Sequence, residues 1–141
     1  MLREKAIKKF ARLPGATRLK LFYNFDNRVI KTEDYQPGQT AKLLSDAGLE
    51  RDTIFLEISE RHDISNAQYL QDILVRYRSQ GFKIAIDDYG SGFAQLRAIY
   101  ECEPDIIKID RFFIDGIDRD RRKELFVTQI NAFAHMIAAQ V

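Results

Sequence analysis

The sequence predicts an α/β protein built on parallel strands, and two observations carry that prediction. Short, strongly apolar strand-like segments alternate with helix-like segments, a pace that calls for parallel strands joined by crossover helices. Each strand-like segment stays apolar until its carboxyl end and turns polar there. Two architectures satisfy both: an open doubly wound sheet, or part of a (β/α)8 barrel.

The elements follow in order. Residues 2–13 read as a helix, because Leu2, Ala6, Ile7 and Phe10 share a face; Pro14-Gly15 ends it. Leu19 to Phe25 is the first strand. The polar stretch 26–38 is a loop, and a short helix runs from about Thr40 to Ala47 with Gly48 as its C-terminal cap. Thr53 to Ile58 is the second strand. Ser65 and Gln68 have the spacing of a capping box ahead of a helix with Leu70, Ile73, Leu74 and Tyr77 on one face, closed by Gly81. Lys83 to Ile86 is the third strand. Phe93, Leu96, Ile99 and Tyr100 mark the next helix, which stops before Pro104; Ile106 to Ile109 is the fourth strand. The last helix starts near Arg119, with Phe126, Ile130, Phe133 and Ile137 expected to face inward.

Composition narrows the function classes. The chain has 141 residues, 45% hydrophobic and 30% charged, which is enough apolar material for one globular domain. Its 22 basic and 21 acidic residues leave a net charge of +1, which gives no footprint for a DNA or RNA polymer. A single cysteine, Cys102, forbids an intrachain disulfide and reads as a buried thiol in a reducing cytoplasm. No apolar run is long enough to span a bilayer, and the charged start MLREKAIKKF is no signal peptide; a cytoplasmic location is expected, with a membrane tether possible only in a longer parent.

The polar strand ends carry the chemistry. The first strand ends in Asn24 and Asp26, the second in Glu57 with Glu60 beyond it, the third in Asp87 and Asp88, the fourth in Lys108 and Asp110. In a parallel sheet these ends share one edge, where barrels build their active sites. Crowded carboxylates stay ionised when cations sit among them, and oxygen donors with an asparagine amide favour Mg²⁺, Mn²⁺ or Ca²⁺ over zinc. His62 and His135 lie away from the strand ends and read as structural or surface residues. Asp26 and Asp110 each have an ordinary alternative as a loop or helix-capping residue. Asp87-Asp88 is harder to explain that way: adjacent strand residues point to opposite faces, so both reach the rim only where the strand ends, and Gly90-Ser91-Gly92 follows as flexible backbone. Lys108, inside the apolar strand IIKI, must find a carboxylate or water. The charge run from Asp118 to Lys123 reads as a solvated helix start.

Four spaced segments resemble the EAL-domain family of cyclic di-GMP phosphodiesterases. Ile84-Ala-Ile-Asp-Asp-Tyr-Gly-Ser-Gly-Phe is similar to the family's acidic pair, aromatic and Gly-x-Gly loop. Asp105-Ile-Ile-Lys-Ile-Asp resembles its Asp-x-x-Lys-Ile-Asp strand, Phe55-Leu-Glu-Ile-Ser-Glu its Glu-x-Thr-Glu strand, and Tyr23-Asn24-Phe25 its asparagine-bearing strand. Order and spacing agree, with 30 positions from Glu57 to Asp87 and 21 from Asp87 to Lys108. The resemblance implies a TIM-like (β/α)8 barrel of the EAL type, here a partial barrel with about four parallel strands and crossover helices. It implies hydrolysis of cyclic di-GMP to linear pGpG with two divalent ions, Mg²⁺ or Mn²⁺. Asn24, Glu57, Asp87 and Asp88 would be the metal ligands, with Asp87 bridging; Lys108 would orient the attacking water; Glu60 would anchor the loop from Tyr89 to Gln95. No substrate-contacting residue is assigned. A homodimer through that loop and the adjacent helix, and a sensor or GGDEF domain in a parent protein, are implied partners.

The match has gaps. The Glu-Ala-Leu strand that names the family, and the later strands bearing a further glutamate and a glutamine, are not in these 141 residues. The chain is therefore expected to be a single partial EAL domain over 1–141, catalytically incomplete by itself. Two other readings remain. A degenerate module would bind cyclic di-GMP or a protein without cleaving it. A phosphorylated receiver domain also carries an acidic pair and a lysine, but there the pair follows the first strand, whereas here it lies on the third.

Overall fold

The structure is a computed structural model that describes residues 2–25, 38–59, 67–91 and 95–141. Four strands form one parallel sheet in the order β1 (Leu21–Asn24), β2 (Ile54–Ser59), β3 (Lys83–Tyr89) and β4 (Ile106–Ile109). The helices are α1 (Leu2–Ala11), α2 (Gln39–Asp46), α3 (Ala67–Ser79), α4 (Gln95–Cys102), α5 (Arg111–Ile114) and α6 (Arg121–Met136). A parallel bridge between Ile106 and Gln140, with Ile107 N donating to Gln140 O at 2.8 Å, continues the sheet beyond β4 in the same order.

Two features decide between the architectures left open by the sequence. Strand order follows chain order without the reversal that defines a doubly wound sheet. The core also lies on one face of the sheet. Ile54, Leu56, Ile58, Ile84, Ile86 and Ile107 pack with Ile7, Phe10, Leu44, Ile73, Leu74, Tyr77, Ile99, Cys102, Ile130 and Ala134 from the helices. The alternate residues, Phe55, Glu57, Ala85 and Asp87, lie outside that cluster. Among the described residues the helices pack on one face only, which is the arrangement of a barrel wall. Each fully buried Ile or Leu in this layer contributes about 1.5–3 kcal/mol.

Local signals explain the element ends. Gly48 and Gly81 follow α2 and α3 in the left-handed region, where Leu49 N reaches back to Leu44 O and Phe82 N to Tyr77 O. Asp120 caps α6 by accepting from Arg122 N and Lys123 N, so the Asp118–Lys123 run is a solvated helix start as the sequence suggests. Asp110 caps α5, accepting from Phe112 N at 2.7 Å. Buried Arg3 ties α1 to α2 through Thr40 Oγ1 at 2.5 Å and lies over the Tyr23 ring.

Some sequence expectations need correction. Phe126 and Ile137 do not face inward: Phe126 is 54% exposed and Ile137 38%. The buried contacts of α6 come from Ile130 and Ala134; Phe126 stacks on Phe113, and Ile137 falls just past the helix end. On α4, Ile99 is buried, whereas Leu96 and Tyr100 face solvent. Asp26, Glu60, His62, Ser65 and Phe93 lie outside the described residues. His135 is exposed on α6, in keeping with a surface role.

Cys102 is buried, and its thiol pKa is pushed from 9.0 up to about 11, chiefly by burial and secondarily by Glu101, against the pull of Arg78. The sign is fixed: the unfolded chain loses this proton first as pH rises. The thiol therefore leaves stability unchanged below about pH 9 and removes up to about 2–3 kcal/mol between pH 9 and 11. Urea melts of the protein and Cys102→Ala at pH 8 and 10.5 check this. The variant should lose less stability across that interval, and equal losses would contradict the burial.

Candidate functional site

The site is built on the sheet face that the helices do not cover. Side chains alternate along a strand, and the parallel register places Asn24 beside Glu57, Glu57 beside Ala85, and Ser59 beside Asp87. On β4, Ala85 pairs with Ile106, so Lys108 falls two residues further on, level with Asp87. Three of the predicted residues meet directly. Lys108 Nζ lies 2.5 Å from Glu57 Oε1 and 2.9 Å from Asp87 Oδ1. The Glu57 side chain is 6% exposed, while that of Lys108 is 41% exposed. Burial works against the ammonium, but hydrogen bonds and charge attraction from Glu57 and Asp87 outweigh it and hold the Lys108 pKa above its ordinary value.

Asp87 and Asp88 reach the rim by a different route from the one the sequence suggests. The strand does not end there; it continues to Tyr89. Between Ile86 and Tyr89 the register with β4 shifts: Ile86 pairs with Ile107, yet Tyr89 pairs with Ile109. Three steps on β3 thus oppose two on β4, which is a β-bulge. Asp88 takes the left-handed conformation at φ 54°. The inserted residue resets the alternation, so Tyr89 returns to the core and Asp88 is not forced onto the helix-covered face. A non-glycine residue in that conformation costs about 1–3 kcal/mol and persists where the surroundings impose it.

The turn after the bulge is braced from behind. Tyr89 O accepts Asp110 N at 2.8 Å. Gly90 has φ 111°, and a Cβ built there would lie 2.2 Å from Phe113 Cε2. Phe113 stacks on Phe126 with ring centroids 4.9 Å apart and planes 7° from parallel. Gly90 therefore serves close approach, not the flexibility its sequence context suggests. Sequence reasoning missed Phe113, and it missed Phe22, whose ring stacks on Phe55 at 5.0 Å and lies 5.5 Å from Lys108 Nζ. The alternation that places Asn24 on the uncovered face places Phe22 there too, which is the signal that could have found it.

Asn24 is exposed at the end of β1, and Asp88 is partly buried on the bulge. Glu60 lies outside the described residues. Among the described residues, no three His, Cys, Asp or Glu side chains gather closely enough to form a metal cage. The donor chemistry nevertheless fits a hard divalent ion: carboxylate and amide oxygens from adjacent strands, around a point where Lys108 shows that positive charge is favoured.

A family model described as the EAL domain matches residues 1–141. The chain belongs to the EAL domain family. This EAL chain is 31% identical over 97 residues to the Probable cyclic di-GMP phosphodiesterase PdeA of Escherichia coli (strain K12), covering 69% of this chain and 13% of that protein. It is 29% identical over 100 residues to the Cyclic di-GMP phosphodiesterase PdeF of the same strain, covering 71% of this chain and 13% of that protein. The EAL chain thus spans a small part of the length of the curated relatives it matches. Among solved structures, a manganese and cyclic di-GMP complex of Klebsiella pneumoniae BlrP1 superposes with a TM-score of 0.85 at 25% identity, covering 97% of this chain and 35% of that one. These likenesses agree with the one-sided helical layer in placing the four strands in a partial TIM-like barrel.

Proposed function

We propose that this chain is the central part of a metal-dependent phosphodiesterase that hydrolyses cyclic di-GMP to linear pGpG. The convergence of Glu57, Asp87 and Lys108 at the carboxyl edge of three adjacent strands carries the reading. The names of the curated relatives supply the substrate class. Asn24, Glu57, Asp87 and Asp88 would hold two divalent ions, Mg²⁺ or Mn²⁺, with Asp87 shared. Such ions, when bound, neutralise phosphate charge and acidify a water molecule. Lys108 would orient the attacking water toward phosphorus, and the bulge would keep both aspartates at the rim. By resemblance to the family, Glu60, which lies outside the described residues, would serve as the loop-anchoring residue. One phosphodiester bond is opened by water, which leaves a linear dinucleotide.

We further assign the chain to a single partial EAL domain over 1–141, catalytically incomplete without the flanking strands. It would act in the cytoplasm as a homodimer through the loop after β3 and α4, with sensor or GGDEF domains in the parent protein. Exposed Leu96 and Tyr100 on α4 suit such a contact.

A second reading, cyclic di-GMP binding without hydrolysis, is favoured by one observation: no three-acid group forms among the described residues. One assay separates the two. Cyclic di-GMP and Mn²⁺ are added to this chain and to the longer polypeptide that contains it, and pGpG is followed by chromatography. We expect turnover in the longer protein and binding with little turnover in the chain alone. Binding without pGpG in both would favour the second reading, and absence of binding in both would reject each.

A further inference from the structure

We propose that the Lys108 ammonium is a resident cation that competes with the divalent metal for Glu57 and Asp87, so that metal enters only as Lys108 leaves. The inference rests on the metal-dependent reading above and concerns what sets the affinity of that site. A hard divalent ion binds carboxylate oxygen at about 2.0–2.6 Å. Lys108 Nζ already lies 2.5 Å from Glu57 Oε1 and 2.9 Å from Asp87 Oδ1, so the two cations cannot share that space. Of the three groups, the lysine is the one free to move. Glu57 is buried in the middle of the sheet, and Asp87 has a short side chain, 23% exposed, beside the bulge. Lys108 has a four-carbon stem with a 41% exposed side chain. The Phe22 ring lies 5.5 Å from Nζ on the same face while Lys108 is paired, a cation–π contact that a short outward swing of the ammonium need not break.

The arrangement has a functional consequence. With Lys108 in place the two carboxylates are held together by one shared cation, at 2.5 Å from Glu57 Oε1 and 2.9 Å from Asp87 Oδ1. The apparent metal affinity is then reduced by the fraction of molecules in which Lys108 is withdrawn. Lys108 thereby sets the metal concentration at which the site loads, in addition to orienting water once it has loaded.

Two measurements test the proposal. Mn²⁺ binding to the protein and to Lys108→Met is followed by calorimetry, and the variant should bind about tenfold tighter or more, equivalent to about 1.4 kcal/mol. In the unmodified protein, amine acylation is mapped by mass spectrometry across a Mn²⁺ titration. An ammonium bonded to two carboxylates reacts slowly, so Lys108 labelling should rise as the site fills. Lys83, paired with Asp105 at 2.7 Å, serves as the unchanging reference. Tighter binding by the variant with constant Lys108 labelling would mean repulsion at a distance, and overturns the displacement. Equal or weaker binding by the variant overturns it too, and leaves the phosphodiesterase reading standing. No Mn²⁺ binding by either protein removes both. If Lys108→Met does not fold, the labelling of the unmodified protein decides alone.

Discussion

On the proposed phosphodiesterase reading, Glu57→Gln should lower cyclic di-GMP hydrolysis by about a hundredfold or more, measured in a complete EAL barrel that contains this chain, while the protein stays folded. The amide matches the carboxylate in shape and keeps an oxygen near Lys108, so packing is preserved. The lost feature is charge. Removing one preorganised electrostatic partner from a reacting centre typically costs about 10²–10³ in rate. The stability effect is small because two terms oppose. Neutralising Glu57, which is 5% exposed, removes a large desolvation cost along with its attraction to Lys108. Asp87 remains 2.9 Å from the ammonium, so Lys108 is not stranded. The net change should lie within about 1 kcal/mol, since Lys108 is partly solvated. Melting curves and pGpG release, measured on one preparation, check the two halves together. Full turnover by Glu57→Gln with Mn²⁺ would remove Glu57 from the metal set. A collapse of folding would show that the pair is structural first.

Much of this site was legible because its information is local. Each strand is a short apolar run with a polar end, and parallel pairing brings those ends to one edge, so Asn24, Glu57 and Lys108 could be placed without coordinates. Lys108 in an apolar strand demanded a carboxylate and has two. The one-sided core was less legible, because β2 and β3 are apolar at nearly every position. Phe55 and Ala85 are as hydrophobic as Leu56 and Ile84, yet they line the face that the helices leave uncovered. The bulge left no local mark, since an inserted residue is a relation between β3 and β4. Strand alternation alone places Asp87 and Asp88 at the rim only if the strand ends there, and the bulge supplies the reason instead. The stripe on α6 misled at its ends for a related reason. Ile130 and Ala134 meet the core, whereas Phe126 is claimed by Phe113, a residue from α5 that no helical periodicity points to.

Gly90→Ala should destabilise the protein by about 2–5 kcal/mol and weaken Mn²⁺ binding as well. Two costs add. At φ 111° an L-residue is conformationally strained, by about 1–2 kcal/mol. The new methyl would also meet Phe113 Cε2 at 2.2 Å and Cδ2 at 2.6 Å. Overpacking of that kind costs about 1–3 kcal/mol. The ring is in contact on two sides, with Phe126 stacked against it and Phe112 edge-on at 5.2 Å, so its yielding would cost those contacts. The turn must therefore give way, and the turn is continuous with the left-handed Asp88 and with Asp87. Relief at Gly90 moves the acidic pair relative to Glu57, which is why binding should fall together with stability. The double variant Gly90→Ala, Phe113→Leu separates the two costs. A smaller side chain at 113 relieves the contact and leaves the φ strain, so urea titration should show part of the loss recovered, with the two substitutions coupled. Additive losses would mean that Phe113 does not bear on Gly90. A Gly90→Ala protein that keeps its stability but loses Mn²⁺ affinity would mean the backbone bends at the bulge at little cost, so that the aspartates are held less firmly than the Phe113 brace implies.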